Sequence, residues 1–257
     1  MAHALRCPRL EVISHPERLL TPSQEAAFQA MLTKRASRCP LSYIIGEKEF
    51  FGLSFVVSSD VLIPRPETEI LVEECLRRVG DGAVIADIGT GSGAIAVALA
   101  VNLPGANVYA TDTSEQALKV AKVNAEKHGV ADRVCTVRGD LLEALSVGVV
   151  GHAVPEQRQE RLDAIVSNPP YIPSGVIESL EPEVRQEPIQ ALDGGPDGLE
   201  VYRRLVPQAL GLAGLIAVEI GVEQASPVTQ IARDAGWAEV EIIRDLAGIE
   251  RVVIARQ

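Results

Sequence analysis

Asp87-Ile88-Gly89-Thr90-Gly91-Ser92-Gly93 decides the fold. Residues 84–87, apolar up to Asp87, read as a strand, three alternate glycines follow, and Ala94 begins an apolar helical run. Glycine permits a tight turn with close backbone approach, and the following helix start offers unpaired N–H groups. Such a strand–loop–helix unit belongs to α/β folds that bind a ligand beyond the carboxyl ends of parallel strands.

Outward from this loop the pattern repeats. Strands are expected over 84–87, 107–112, 134–138, 162–167, 215–219, 240–243 and 252–255, with helices over 94–100 and 114–128. For the second helix, Thr113 reads as N-cap, Gln116 completes a capping box and Gly129 reads as the stop. Alternating β and α segments with short apolar strands predict a seven-stranded, Rossmann-like, doubly wound sheet with helices on both faces. Only residues 245–250 join the last two strands, too few for a parallel crossover, so that pair is expected to be antiparallel.

Two acidic residues stand at the ends of the next strands. Asp112 is placed to accept the hydroxyls of a ribose, and Asp140 to accept from an adenine amino group. The loop, Gly89, Thr90, Gly91, Ser92 and Gly93, has a G-x-G-x-G pattern, which departs from the G-x-G-x-x-G of dinucleotide enzymes. An adenosine-bearing cofactor is expected here.

Asp163-Ala164-Ile165-Val166-Ser167-Asn168-Pro169-Pro170-Tyr171 carries the acceptor chemistry. Pro169 forces its neighbour into extended geometry, and two prolines leave nearby carbonyls without competing backbone donors. The Asn168 side-chain oxygen and the Pro169 carbonyl can receive both N–H groups of a planar NH₂, with Pro170 stiffening the turn and Tyr171 offering an aromatic face. An amide nitrogen is a poor nucleophile. Two fixed acceptors aim its lone pair at a methyl donor, so orientation and electrostatics carry the step, with no strong base required. Asn168, Pro169 and Tyr171 are the catalytic candidates. The turn itself does not choose between a glutamine amide and a flipped adenine.

The 257 residues carry a net charge of -11, adverse to avid nucleic-acid binding, and leave no room for a separate target-recognition domain. The four cysteines form no Cys-x-x-Cys pair, and with four scattered histidines no metal site is expected. No apolar run spans a bilayer, and a cytoplasmic protein without membrane contact is expected. Towards the N-terminus, Thr21, Pro22 and Gln24 open a helix running to about Ser37, residues 48–57 read as a β-hairpin, and Pro66 starts a helix reaching about Arg78. Residues 146–160 lack periodicity and are expected to form a surface loop.

These features resemble the protein-(glutamine-N5) methyltransferases of peptide chain release factors. The resemblance spans 41–253. It is carried by Pro40 to Gly46, Val61-Leu62-Ile63-Pro64-Arg65-Pro66-Glu67-Thr68-Glu69, the glycine loop, Ser167 to Tyr171, and Glu187-Pro188 with Ala191-Leu192-Asp193-Gly194-Gly195 and Asp197-Gly198. Glu219-Ile220-Gly221 and the segment from Asp245 to Arg251 complete it. The resemblance implies a helical N-terminal domain (1–42, shorter than usual), a hairpin linker (43–63) and a methyltransferase domain (64–257). It implies S-adenosyl-L-methionine held by Gly89, Thr90, Gly91, Ser92, Gly93, Asp112, Asp140, Leu141 and Asn168. The implied acceptor is the glutamine of the release factors' Gly-Gly-Gln loop, held by Asn168, Pro169, Pro170 and Tyr171. A sister family acting on a ribosomal-protein glutamine is similar at the Asn-Pro-Pro-Tyr turn, and the Pro64 to Glu69 form is closer to the release-factor branch. Two rival readings are an adenine-N6 nucleic-acid methyltransferase and a non-catalytic ligand-binding module.

Overall fold

The computed structural model describes residues 1–145 and 161–257; the loop expected over 146–160 lies outside the described residues. Short helices α1 (Ala2–Leu5), α2 (Arg9–Ser14) and α4 (Leu41–Ile45) flank the longer α3 (Pro22–Ala36). The capping box of α3 is formed as expected: Thr21 accepts from the Gln24 amide while Gln24 accepts from the Thr21 amide. An antiparallel hairpin follows, β1 (Glu47–Phe50) and β2 (Leu53–Val56), turning at Phe51-Gly52 with both residues at positive φ.

A single turn at Pro66–Thr68 leads into α5 (Glu69–Arg78), and the alternating region begins. It comprises β3 (Val84–Ile88), α6 (Ala94–Asn102), β4 (Asn107–Asp112), α7 (Glu115–Lys127), β5 (Val134–Arg138) and β6 (Leu162–Ser167). Then come α8 (Glu200–Ala209), β7 (Ala213–Glu219), α9 (Ala225–Ala235), β8 (Glu239–Arg244) and β9 (Glu250–Arg256). Every expected strand is present, the last two pair antiparallel, and β9 inserts between β7 and β8. The sheet order is β5-β4-β3-β6-β7-β9-β8.

The cap of α7 differs from the expected one. Ser114, in extended geometry, accepts from the Ala117 amide, so it displaces Thr113 as N-cap and Gln116 takes no part in a capping box. Gly129 does sit just past the helix at φ +69, the left-handed conformation that ends helices.

Alternation along each strand divides the core in two. Ile85, Val108, Ala164, Val166, Ala217 and Ile254 face one cluster with α5, α6 and the hairpin phenylalanines Phe50 and Phe55. Ala86, Tyr109, Ile165, Ile216, Val218 and Val253 face the other with α8, α9 and Trp237. Helix α6 is apolar all round, and Ala94 through Ala100 are all buried, the pattern of a helix packed on more than one side.

Candidate active site

Strand register brings the expected site residues to one edge. Ile88 of β3 pairs with Ser167 of β6, so Gly89 and Asn168 leave the sheet side by side, and Ser167 Oγ locks the pair by donating to the Ile88 carbonyl at 2.7 Å. On the other side Ile88 pairs with Thr111, which places Asp112 next, and Asp112 pairs with Arg138, which places Gly139 and Asp140 after it. Neighbouring strands thus open their carboxyl ends onto one crevice at the point where strand order reverses, the usual ligand position in open α/β sheets.

The three loop glycines have different tasks. Gly89, Gly91 and Gly93 all hold positive φ, at +72, +55 and +78. A Cβ on Gly93 would sit 3.0 Å from both Cα and Cβ of Ala121, so this glycine lets α7 approach the loop. A Cβ on Gly89 or Gly91 would meet nothing within 4 Å, and both glycines border the cavity. Thr90 and Ser92 are turned inward: Thr90 Oγ1 donates to Asp87 at 2.6 Å, and the Ser92 carbonyl accepts from Asn124 at 2.8 Å. Asn124, fully buried, also exchanges hydrogen bonds with the Val56 backbone and so ties loop, α7 and hairpin together. Burial pushes the Asp87 carboxyl up to about 7, although the Thr90 hydroxyl and the Ala96 amide favour its ionised form.

Asp112 stiffens the loop from across the crevice. Its Oδ2 accepts from the Gly91 amide and its Oδ1 from the Ser114 amide, both at 2.9 Å, leaving a further lone pair on each oxygen for a ligand. Asp140 forms an ion pair with Arg204 of α8. Beside it Leu141 holds φ +49, an unusual conformation for a leucine of the kind that collects at ligand sites.

At the acceptor turn, Asn168 Nδ2 donates to Thr68 Oγ1 at 3.1 Å, which leaves Oδ1 without a partner among the described residues. Tyr171 stands apart from the cavity wall: its ring packs into the second core cluster close against Gly221, and its carbonyl accepts from Gln224 at 2.9 Å. Burial, with Glu219 nearby, pushes its hydroxyl up to about 12. Glu219 ends β7, is itself buried, and its carboxyl is pushed up to about 7 by burial, while the Thr68 hydroxyl, Arg251 and the Tyr171 hydroxyl pull it down.

The segment carrying Thr68 is clamped. Arg65 pairs with buried Glu187, whose second oxygen accepts from the Ile63 amide at 3.0 Å. Glu69 accepts from the Phe51 amide at 2.8 Å. Arg65 thus joins two stretches of chain more than a hundred residues apart. Thr68, Asn124, Glu187 and Arg204 were not anticipated as parts of the site. The Leu62 to Glu69 and Glu187 to Gly198 stretches stood out in the sequence, but their pairing did not.

Together these parts enclose a cavity of about 580 Å³, within the usual range for small-molecule and cofactor sites. Of the expected residues, Gly89, Gly91, Asp112, Asp140, Leu141, Asn168, Pro169 and Pro170 line it; Thr90, Ser92, Gly93 and Tyr171 lie behind that wall. Asp60 to Leu62, from the segment after the hairpin, and Pro188 to Ala191 close it from other sides.

Residues 1–46 match the family described as PrmC N-terminal domain, and residues 66–184 match Methyltransferase small domain. The release factor glutamine methyltransferase of Geobacter sulfurreducens is 44% identical over 260 residues, covering 100% of this chain and 87% of the relative. That of Moorella thermoacetica is 45% identical, covering 99% and 87%. Among solved structures, the human METTL16 catalytic domain in complex with a MAT2A 3′UTR hairpin aligns with TM-score 0.64 at 19% identity, over 88% of this chain and 80% of that one. The ribosomal protein L11 methylase from Lactobacillus delbrueckii subsp. bulgaricus aligns at 0.53 and 20% identity, over 78% and 84%. These likenesses are of fold, a class I methyltransferase sheet. The relatives matched over nearly their whole length add the family: the protein belongs to the release factor glutamine methyltransferases.

Proposed function

We propose that the protein transfers a methyl group from S-adenosyl-L-methionine to the side-chain amide nitrogen (N5) of the glutamine in the Gly-Gly-Gln loop of peptide chain release factors. The observation that carries this reading is the adjacency of two features: a glycine cradle open to a cavity, and an Asn168 carbonyl oxygen left free beside it.

The residues fit the cofactor. Gly89 and Gly91 leave space that any side chain would fill, Asp112 keeps acceptor capacity for ribose hydroxyls, and Asp140 with Leu141 borders the place for an adenine. A solved METTL16 domain of the same fold was obtained in complex with SAH. When bound, the cofactor supplies an electrophilic methyl on a sulfonium.

The chain's own residues then hold the acceptor. Asn168 Oδ1 and the Pro169 carbonyl each accept one N–H of the glutamine amide, fixing the plane of its NH₂ and turning the nitrogen lone pair towards the cofactor side of the cavity. The prolines keep that turn from rearranging. Placement of the reacting atoms supplies most of the acceleration, and the nitrogen sheds its proton after transfer. Because Tyr171 lies behind the cavity wall, its contribution is assigned to shaping the turn.

Release factors are the proposed protein partners, with the cytoplasm as the place of action; among the described residues no helix is long and apolar enough to cross a membrane. We propose likewise that the chain divides into a helical domain (1–42), a hairpin linker (43–63) and a methyltransferase domain (64–257). The test is transfer from methyl-labelled cofactor to purified release factor, with duplex DNA and an RNA hairpin alongside. Label in the release factor supports the reading. Label only in nucleic acid overturns it in favour of a base methyltransferase, and binding without transfer favours a regulatory module.

A further inference from the structure

An asparagine side chain can present either its oxygen or its nitrogen to a ligand, and only the oxygen can accept a substrate N–H. Which way it points is set by its hydrogen-bond partner. Here the partner is Thr68 Oγ1, 3.1 Å from Asn168 Nδ2, a hydroxyl that is itself buried. The amide nitrogen faces Thr68, so the oxygen is the atom left without a partner among the described residues, on a side chain that lines the cavity.

We propose that Thr68 is a positioning residue that holds the Asn168 amide with its oxygen facing the acceptor nitrogen. This deepens the proposed function and rests on it for the identity of the acceptor. The anchoring of the surrounding segment fits the role: Arg65 is held by Glu187 and Glu69 by the Phe51 amide, so Thr68 sits on a fixed platform beside Asn168. Without this arrangement an amide free to turn spends part of its time offering two N–H groups to a substrate that also offers N–H groups, a repulsive encounter.

The experiment compares Thr68→Val, which keeps shape and loses the hydroxyl, with Thr68→Ser, which keeps the hydroxyl, at pH 8 on a release factor substrate. Thr68→Val is expected to lower kcat by about tenfold to a hundredfold, the scale of a misplaced reacting group, with cofactor Kd within about twofold of the wild type. Thr68→Ser is expected to restore most of the rate. Equal losses in both variants would reduce Thr68 to a packing residue, and a normal rate in Thr68→Val would overturn the proposal. A second measurement does not depend on turnover: the Asn168 NH₂ resonances of ¹⁵N-labelled protein should show slowed hydrogen exchange in the wild type and in Thr68→Ser and lose it in Thr68→Val. Unchanged protection in Thr68→Val would refute the lock even if activity fell. Absence of transfer by the wild type, with protection still dependent on Thr68, would fault the acceptor assignment and leave the lock standing.

Discussion

Two substitutions in the glycine loop, Gly91→Ala and Gly93→Ala, should fail in opposite ways. Both residues hold positive φ, which costs an alanine about 1–2 kcal/mol. Beyond that they part. At Gly93 the new methyl would stand 3.0 Å from Ala121 Cα and Cβ, so α7 must move, adding an overpacking cost of about 1–3 kcal/mol. Gly93→Ala should therefore lose about 2–5 kcal/mol in urea unfolding. At Gly91 the methyl meets no protein atom within 4 Å and enters the cavity instead. Gly91→Ala should lose only about 1–2 kcal/mol of stability but weaken cofactor binding by about 1–3 kcal/mol, about fivefold to 150-fold in a calorimetric Kd. A double-mutant cycle with Ala121→Gly should recover about 1 kcal/mol of the Gly93→Ala loss and none of the Gly91→Ala loss. Equal stability losses at the two glycines, or normal cofactor affinity in Gly91→Ala, would refute this division of labour.

Asp112→Ala should raise the cofactor Kd at least about tenfold, since a charged acceptor and the brace on the Gly91 amide are lost together; an unchanged calorimetric Kd would exclude the ribose contact. Glu187→Ala should cost about 2–4 kcal/mol in urea unfolding, because the Ile63 amide is left buried without an acceptor, while the Arg65 charge, about a third exposed, adds little. Glu187→Gln keeps that acceptor and should lose clearly less; equal losses would place the effect elsewhere. Stability should also fall as pH rises. The Glu219 carboxyl ionises near 4.5 when unfolded and near 7 when folded, so the native state holds the extra proton between those values, and this contribution is complete below about 4.5 and gone above about 7. Asp87 acts in the same direction. Glu219→Gln should flatten the slope between pH 5 and 7 relative to the wild type in denaturant titrations; an identical slope would mean that Glu219 does not titrate there.

Local signals made much of this molecule legible. β4, β5 and β6 lie where apolar runs bounded by glycine, proline or aspartate place them, and the α3 capping box was readable from Thr21 and Gln24 alone. The α7 cap was misplaced by one residue because Thr113 and Ser114 are both capping types, and only backbone geometry decides between neighbours. The insertion of β9 between β7 and β8 was not foreseen, since an antiparallel pair can join a sheet by either strand. The glycine-loop side of the cavity was readable because glycines and carboxylates at strand ends follow a local rule. The acceptor half was readable only at its surface. Asn168 and Pro169 stand out by type, but Thr68 and Glu187 meet partners distant in sequence, and periodicity carries no record of such contacts. Tyr171 shows the same limit: an aromatic beside a turn can face the ligand or the core, and here its ring packs, partly buried, against the second core cluster.

The site of methylation can be located by tandem mass spectrometry after incubating release factor, cofactor and enzyme. One added methyl is expected on the side-chain nitrogen of the Gly-Gly-Gln glutamine, with at least about a hundredfold less of it from Asn168→Ala, given the scale of loss when a fixed transition-state contact is removed. Methyl on a different residue, or undiminished product from Asn168→Ala, would overturn the proposed transfer.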